Sequence, residues 1–171
     1  MITTFLLKSI CLDLPGVNLG RLRILFWGDF MNSEKMLKSI LHTVQMGQSG
    51  IRSVQQKAIR PSLKQELQRQ LREYDEMEHA AKRLAEENNW TVPDIPKSVT
   101  KVSDMMASMR LMGGERDSKI AGMLIQGNTR GMILGMKNLR KGKKADAQVQ
   151  QMARTLISQE RTGIEKTQQF L

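Results

Sequence analysis

From Ser33 to the C-terminus, apolar residues recur every three or four positions, which is the spacing of one buried helix face. Leu37, Ile40, Leu41, Val44, Ile51 and Ala58 form the first stripe and predict a helix over 34–59. Pro61 stands where that helix must stop or the next begin, because proline offers no N–H yet fits a helix's first turn. A second helix is predicted over 61–88, with Leu63, Leu67, Leu71, Tyr74, Ala81 and Leu84 inward and Asn88-Asn89 at its end. The following stretch, NNWTVPDIPKS, cannot continue it, since Pro93 and Pro96 exclude a regular helix. Trp90, Val92 and Ile95 are expected to fold back as an apolar plug over the bundle end. A short methionine-rich helix is predicted over 99–112, through Met105, Met106, Met109 and Met112, until Gly113-Gly114 breaks it. The third long helix is expected over 117–140, with Ile120, Leu124, Gly127, Gly131 and Leu134 inward. A turn at 142–144 leads to the last helix over 145–170, which turns Val149, Met152, Leu156, Gly163 and Phe170 inward.

These elements predict an all-α domain over 32–171: an antiparallel up-down-up-down four-helix bundle with a short extra helix near 99–112. The argument is that short turns join antiparallel neighbours. Residues 1–31 lack the pattern and read as an irregular N-terminal extension. One expectation is translated leader sequence. Trp27-Gly28-Asp29-Phe30-Met31 is encoded as TGG-GGN-GAY-TTY-ATG, and a GGA glycine codon creates GGGGAG just before ATG, like a bacterial ribosome-binding site. The alternative is an N-terminal arm that packs or exchanges between subunits. No run of eighteen apolar residues is present, so neither a membrane span nor a signal peptide is expected.

The polar residues that fall on the inward stripes carry more information than any motif. At about 100° per residue, Glu78 lies about 40° from Tyr74, so it is expected to point into the bundle. Gln48 lies on the Val44 side of the first helix, Glu160 lies between Leu156 and Gly163, and Arg130 borders the third helix's inner face. An isolated buried carboxylate is costly or protonated. Glu78 and Glu160 are therefore expected to share a hydrogen-bond network with Gln48 or to pair with Arg130. The expected role is a polar core layer that fixes helix register, with a functional pocket as the alternative. Gly127, Gly131 and Gly135 are four apart and share a face. Each costs about 1 kcal/mol against alanine in a helix, so close helix packing is the expected return.

Composition narrows the chemistry. The 171 residues hold 27 Lys and Arg against 17 Asp and Glu, giving +10. Much of this charge lies in mixed runs such as KQELQRQLREYDEMEHAAKR, which suit exposed helix faces. Only Arg140, Lys141, Lys143 and Lys144 form a compact basic cluster. The single cysteine, Cys11, allows no internal disulfide and is consistent with a cytoplasmic protein. No phosphate loop, nucleophile elbow or HExxH is present, and no catalytic residue or cofactor is expected. Glu76 and His79 have the spacing of a metal pair, but the same helical phase turns them outward.

The first helix (LLKSILHTVQMG-like spacing), LREYDEMEHAAKRLAEE in the second, MLIQGNTRGMILGMKN in the third and LISQERTGIEKTQQFL in the last together resemble the ferritin-like superfamily. They are most similar to a small, uncharacterised ferritin-like family of gut clostridia and their relatives. The resemblance implies a bacterial four-helix bundle. Metal-binding members place a glutamate on two helices and Glu-x-x-His on the other two. Here Glu78 is followed by Ala81, Glu160 by Gly163, and Gln48 stands where a glutamate is needed. The implied metal ligands are thus largely absent. The expected function is a structural or protein-interaction role without catalysis, in a homo-oligomer or with a protein partner. The alternatives are a degenerate metal-binding or di-metal oxidoreductase protein, or a basic binder of nucleic acid or anionic surfaces.

Overall fold

In the computed structural model of the chain, the described residues are 31–95 and 114–171. The expectations for the N-terminal extension and for the helix near 99–112 fall outside them. The described residues form four long helices: α1 Ser33–Val54, α2 Pro61–Glu87, α3 Arg116–Lys141 and α4 Ala147–Thr167, with a 3-10 turn at Gln168–Phe170. No strand occurs among the described residues. Met31–Leu171 is one compact unit.

Each boundary has a local cause. Asn32 caps α1, its side-chain oxygen accepting from the Lys35 amide at 2.8 Å. The first helix ends at Val54, earlier than predicted, because the chain beyond it takes its hydrogen bonds elsewhere. The amides of Ile59 and Arg60 donate to the two carboxylate oxygens of buried Asp117 at 2.8 and 2.9 Å. Pro61 then opens α2. Asn89 ends α2 with a left-handed φ of 55°. The Trp90 amide reaches back to the Ala85 carbonyl at 2.8 Å and that of Asn89 to Glu86 at 3.1 Å, a paired closure that an asparagine tolerates.

The core follows the predicted stripes on α1, α2 and α4. Leu37, Ile40, Leu67 and Leu156 are 0–1% exposed. Full burial of such a side chain stabilises by about 1.5–3 kcal/mol relative to leaving it in water. Trp90 and Val92 pack against this core, as their apolar character predicts. The α3 stripe is corrected. Gly127 and Leu134 are exposed, while Asn128, Gly135 and Asn138 share the inward face with Ile120, Leu124 and Gly131.

The order of the helices is also corrected. Around the bundle, α1 lies between α2 and α3, and α4 completes the ring against both. Along α1 and α2, Gln45 meets Glu78 while Arg52 meets Asp75. On the α1–α3 seam, Met36 lies against Gly142, Ser39 bonds Asn138, and Thr43 lies against Gly131. Between α3 and α4, Asn128 lies against Gly163 and Gly131 against Glu160. Between α2 and α4, Gln70 bonds Thr167 and Tyr74 bonds Glu160. On every seam, numbers rise on one helix as they fall on the other. The directions are therefore up, down, down, up, not up-down-up-down. α2 and α3 are diagonal, and the connection between them begins at one end of the bundle and finishes at the other. At about 1.5 Å per residue α2 is about 40 Å long, which no short turn crosses. The expectation failed because it treated every connection as a turn between neighbours.

Candidate functional site: a polar layer beneath an apolar cleft

The sequence-predicted polar residues fall into two separate clusters. The first lies on the α1–α2 seam. Gln48 Nε2 donates to Asp75 Oδ1 and Glu78 Oε2, both at 2.8 Å. Gln45 Nε2 donates to Glu78 Oε1 at 3.0 Å and to Asp94 Oδ1 at 2.7 Å, while its oxygen accepts from the Ile95 amide at 3.0 Å. Lys82 Nζ pairs with both Glu78 and Asp94 at 2.9 Å. Partial burial pushes the Glu78 carboxyl up, but hydrogen bonds from Gln45, Lys82 and Gln48 outweigh this and hold it down at about 2. Glu78 is thus a half-buried anion on a helix seam, not a member of the central layer. This cluster fastens the start of the crossover to α1 and α2.

The second cluster is the central layer, built around Glu160. The carboxyl is only 2% exposed. The Tyr74 hydroxyl donates to its Oε2 at 3.0 Å. Asn128 Nδ2 donates to Gln70 Oε1 at 3.1 Å. Gln70 Nε2 in turn donates to Glu66 Oε1 at 2.8 Å and to the Thr167 hydroxyl at 3.2 Å. Arg69 clasps Glu66 with two bonds of 2.6 and 2.8 Å and also pairs with Glu73. Burial pushes the Glu160 carboxyl up to about 8, partly opposed by the Tyr74 hydrogen bond. At neutral pH it therefore holds its proton. Burial also raises the Tyr74 phenol well above its ordinary range, with the nearby Glu160 adding to the shift. Glu78 and Glu160 share no hydrogen-bond partner, so the predicted common network does not form.

Glycines on three helices make room for this layer. A Cβ at Gly47 would lie 2.6 Å from the Tyr74 ring, one at Gly131 would lie 2.3 Å from Glu160 Oε1, and one at Gly163 would lie 2.3 Å from Asn128 Nδ2. A Cβ at Gly135 would lie 2.7 Å from Ile157 Cγ1, so this glycine also gives close packing. Gly127 does not: a Cβ there would meet nothing within 4 Å. Its face opens instead onto a cleft between α1 and α3.

That cleft has a volume of about 350 Å³. Met46, Ile51, Met123, Leu124 and Leu134 give it apolar walls, and Tyr74, Asn128 and Glu160 lie at its polar floor. His42 and Arg130 are exposed and border it. Arg130 forms no ion pair among the described residues, so its predicted pairing with Glu78 or Glu160 is not made. The structure adds Tyr74 and Asn128 to the polar residues of the layer. Tyr74 falls on an otherwise apolar stripe, and Asn128 follows directly on Gly127, which the apolar spacing places inward. The position of Asn128, four residues beyond Leu124 and three before Gly131, was the available signal.

Glu76 and His79 are exposed, in keeping with their helical phase. Among the described residues no group of three or more His, Cys, Asp and Glu is placed to hold a metal ion. The basic residues Arg140, Lys141, Lys143 and Lys144 are exposed around the C-terminal end of α3, where positive charge complements the helix dipole. No helix among the described residues is long and apolar enough to cross a membrane. No protein family, curated protein or solved structure matches the chain.

Proposed function

We propose that this chain is a non-catalytic binding protein whose α1–α3 cleft takes up a small, largely apolar molecule. The observation that carries this reading is a nearly fully buried carboxyl at the floor of an apolar cleft. A cleft of a few hundred Å³ with apolar walls and few convergent polar groups is the usual form of a small-molecule site. The up-down-down-up order with one long crossover supports a ferritin-like bundle. The ligand set argues for binding without metal chemistry: Glu78 is engaged on another seam, and no histidine lies beside Glu160 at the i+3 position.

The second reading is an interaction with another protein chain or a second copy of this one. It rests on Ile133, Leu134 and Met136, which expose apolar side chains on α3 beside the cleft at 37–45%.

The neutral fluorophore N-phenyl-1-naphthylamine tests the cleft reading. Its emission should rise on adding wild-type protein. Gly127→Leu should abolish the rise, because the new side chain enters the cleft from an open helix position. Equal enhancement in wild type and variant would contradict the proposal.

A further inference from the structure

The direction of hydrogen bonds in the layer specifies what the cleft floor offers a ligand. Gln70 Nε2 is committed to the Glu66 carboxylate, which Arg69 holds in place. Gln70 therefore turns its oxygen toward Asn128, and Asn128 must present its NH2 to it. That leaves Asn128 Oδ1 facing Glu160 Oε2 at 3.2 Å. Two acceptors at this distance need a proton between them. Turning Asn128 over would satisfy Glu160 but set the amide oxygen against Gln70 Oε1 at 3.1 Å. Moving the proton onto Glu160 Oε2 gives each of these contacts one donor and one acceptor. Tyr74 donates to Oε2, Oε2–H donates to Asn128, Asn128 donates to Gln70, and Gln70 donates to Glu66.

The other oxygen, Oε1, is then a carbonyl-type acceptor. It lies beside Gly131, where a Cβ would come 2.3 Å from it, so a glycine is what leaves it uncovered. No described residue donates to it, and Glu160 lines the cleft. An acceptor that faces the cleft without a protein donor is one that a ligand's N–H or O–H can serve. We propose that the cleft selects neutral apolar molecules carrying one N–H or O–H donor, which bonds Glu160 Oε1. Anions find no donor at the floor. Cations meet Arg130 at the rim and a chain of net charge +10. This inference rests on the cleft being a binding site.

Indole and benzofuran separate the two ideas, because they share a shape and only indole has an N–H. Calorimetric titration of the full chain should show indole binding about tenfold tighter, the worth of one well-placed buried hydrogen bond. Glu160→Gln should keep that preference, since its NH2 replaces the acid proton toward Asn128 and its carbonyl still faces the cleft. Glu160→Leu should erase the preference while leaving apolar contacts. Equal binding of indole and benzofuran to wild type would overturn the donor rule and leave the cleft reading standing. A preference that persists in Glu160→Leu would also overturn it. Failure of both compounds to bind would overturn the inference, and N-phenyl-1-naphthylamine would then report separately whether the cleft takes up anything.

Discussion

At the scale of single residues, the sharpest contrast lies between glycines on one helix. Gly127 and Gly131 are one turn apart and identical in sequence terms, yet their surroundings are opposite. Gly131→Ala places a methyl 2.3 Å from the Glu160 carboxyl, within a layer whose other members are already bonded. It should destabilise the protein by about 1–3 kcal/mol, as overpacking does. Gly127→Ala meets open space and removes a flexible residue from a helix interior, so it should stabilise by about 0.5–1 kcal/mol. Urea denaturation of both variants checks the pair, and equal effects would show that the two sites do not differ as described. The spacing of glycines was legible in the sequence. Which of them faced a partner was not, because a glycine has no side chain to reveal its phase.

At the scale of elements, helix positions were legible wherever apolar residues marked the inner face. The α1 and α2 stripes needed no revision, because leucine, isoleucine and valine dominate them. The α3 stripe departs from its apolar spacing for a definite reason. Its inward face includes Asn128 and Asn138, which a search for apolar positions rejects, and its exposed face carries Ile133, Leu134 and Met136, which such a search accepts. The buried asparagines earn their places through hydrogen bonds, Asn128 to Gln70 and Asn138 to Ser39. Chain direction was illegible for another reason. Periodicity gives the face of a helix but not the neighbour it faces. Only contacts such as Thr43 with Gly131, and Ile59 with Asp117, reveal that the third helix runs antiparallel to the first.

At the scale of the whole molecule, buried Glu160 and half-buried Glu78 make stability depend on pH in opposite senses. Glu160 has its folded pKa raised from 4.5 to about 8, so the folded state holds the proton more tightly than the unfolded chain does. Its favourable contribution is complete below about pH 4.5 and is lost as pH rises through about 8. Glu78 is lowered from 4.5 to about 2, so its contribution is present above about pH 4.5 and is lost as pH falls through about 2. Denaturation midpoints of wild type should therefore fall between pH 5 and 8, and Glu160→Gln should flatten that limb while leaving the acid limb intact. The same loss in both proteins would assign the alkaline limb to other groups.

The central claim is that Glu160 is a neutral acid at the floor of the cleft. A carbon-13 titration of the glutamate side-chain carboxyls, with Glu160 assigned by comparison with Glu160→Gln, measures this directly. The account predicts a midpoint near 8 for Glu160, far above the midpoint of about 2 expected for Glu78 in the same sample. A Glu160 midpoint near the ordinary value of 4.5 would mean a charged carboxylate at neutral pH. The hydrogen-bond order of the layer, and the ligand chemistry drawn from it, would then be wrong.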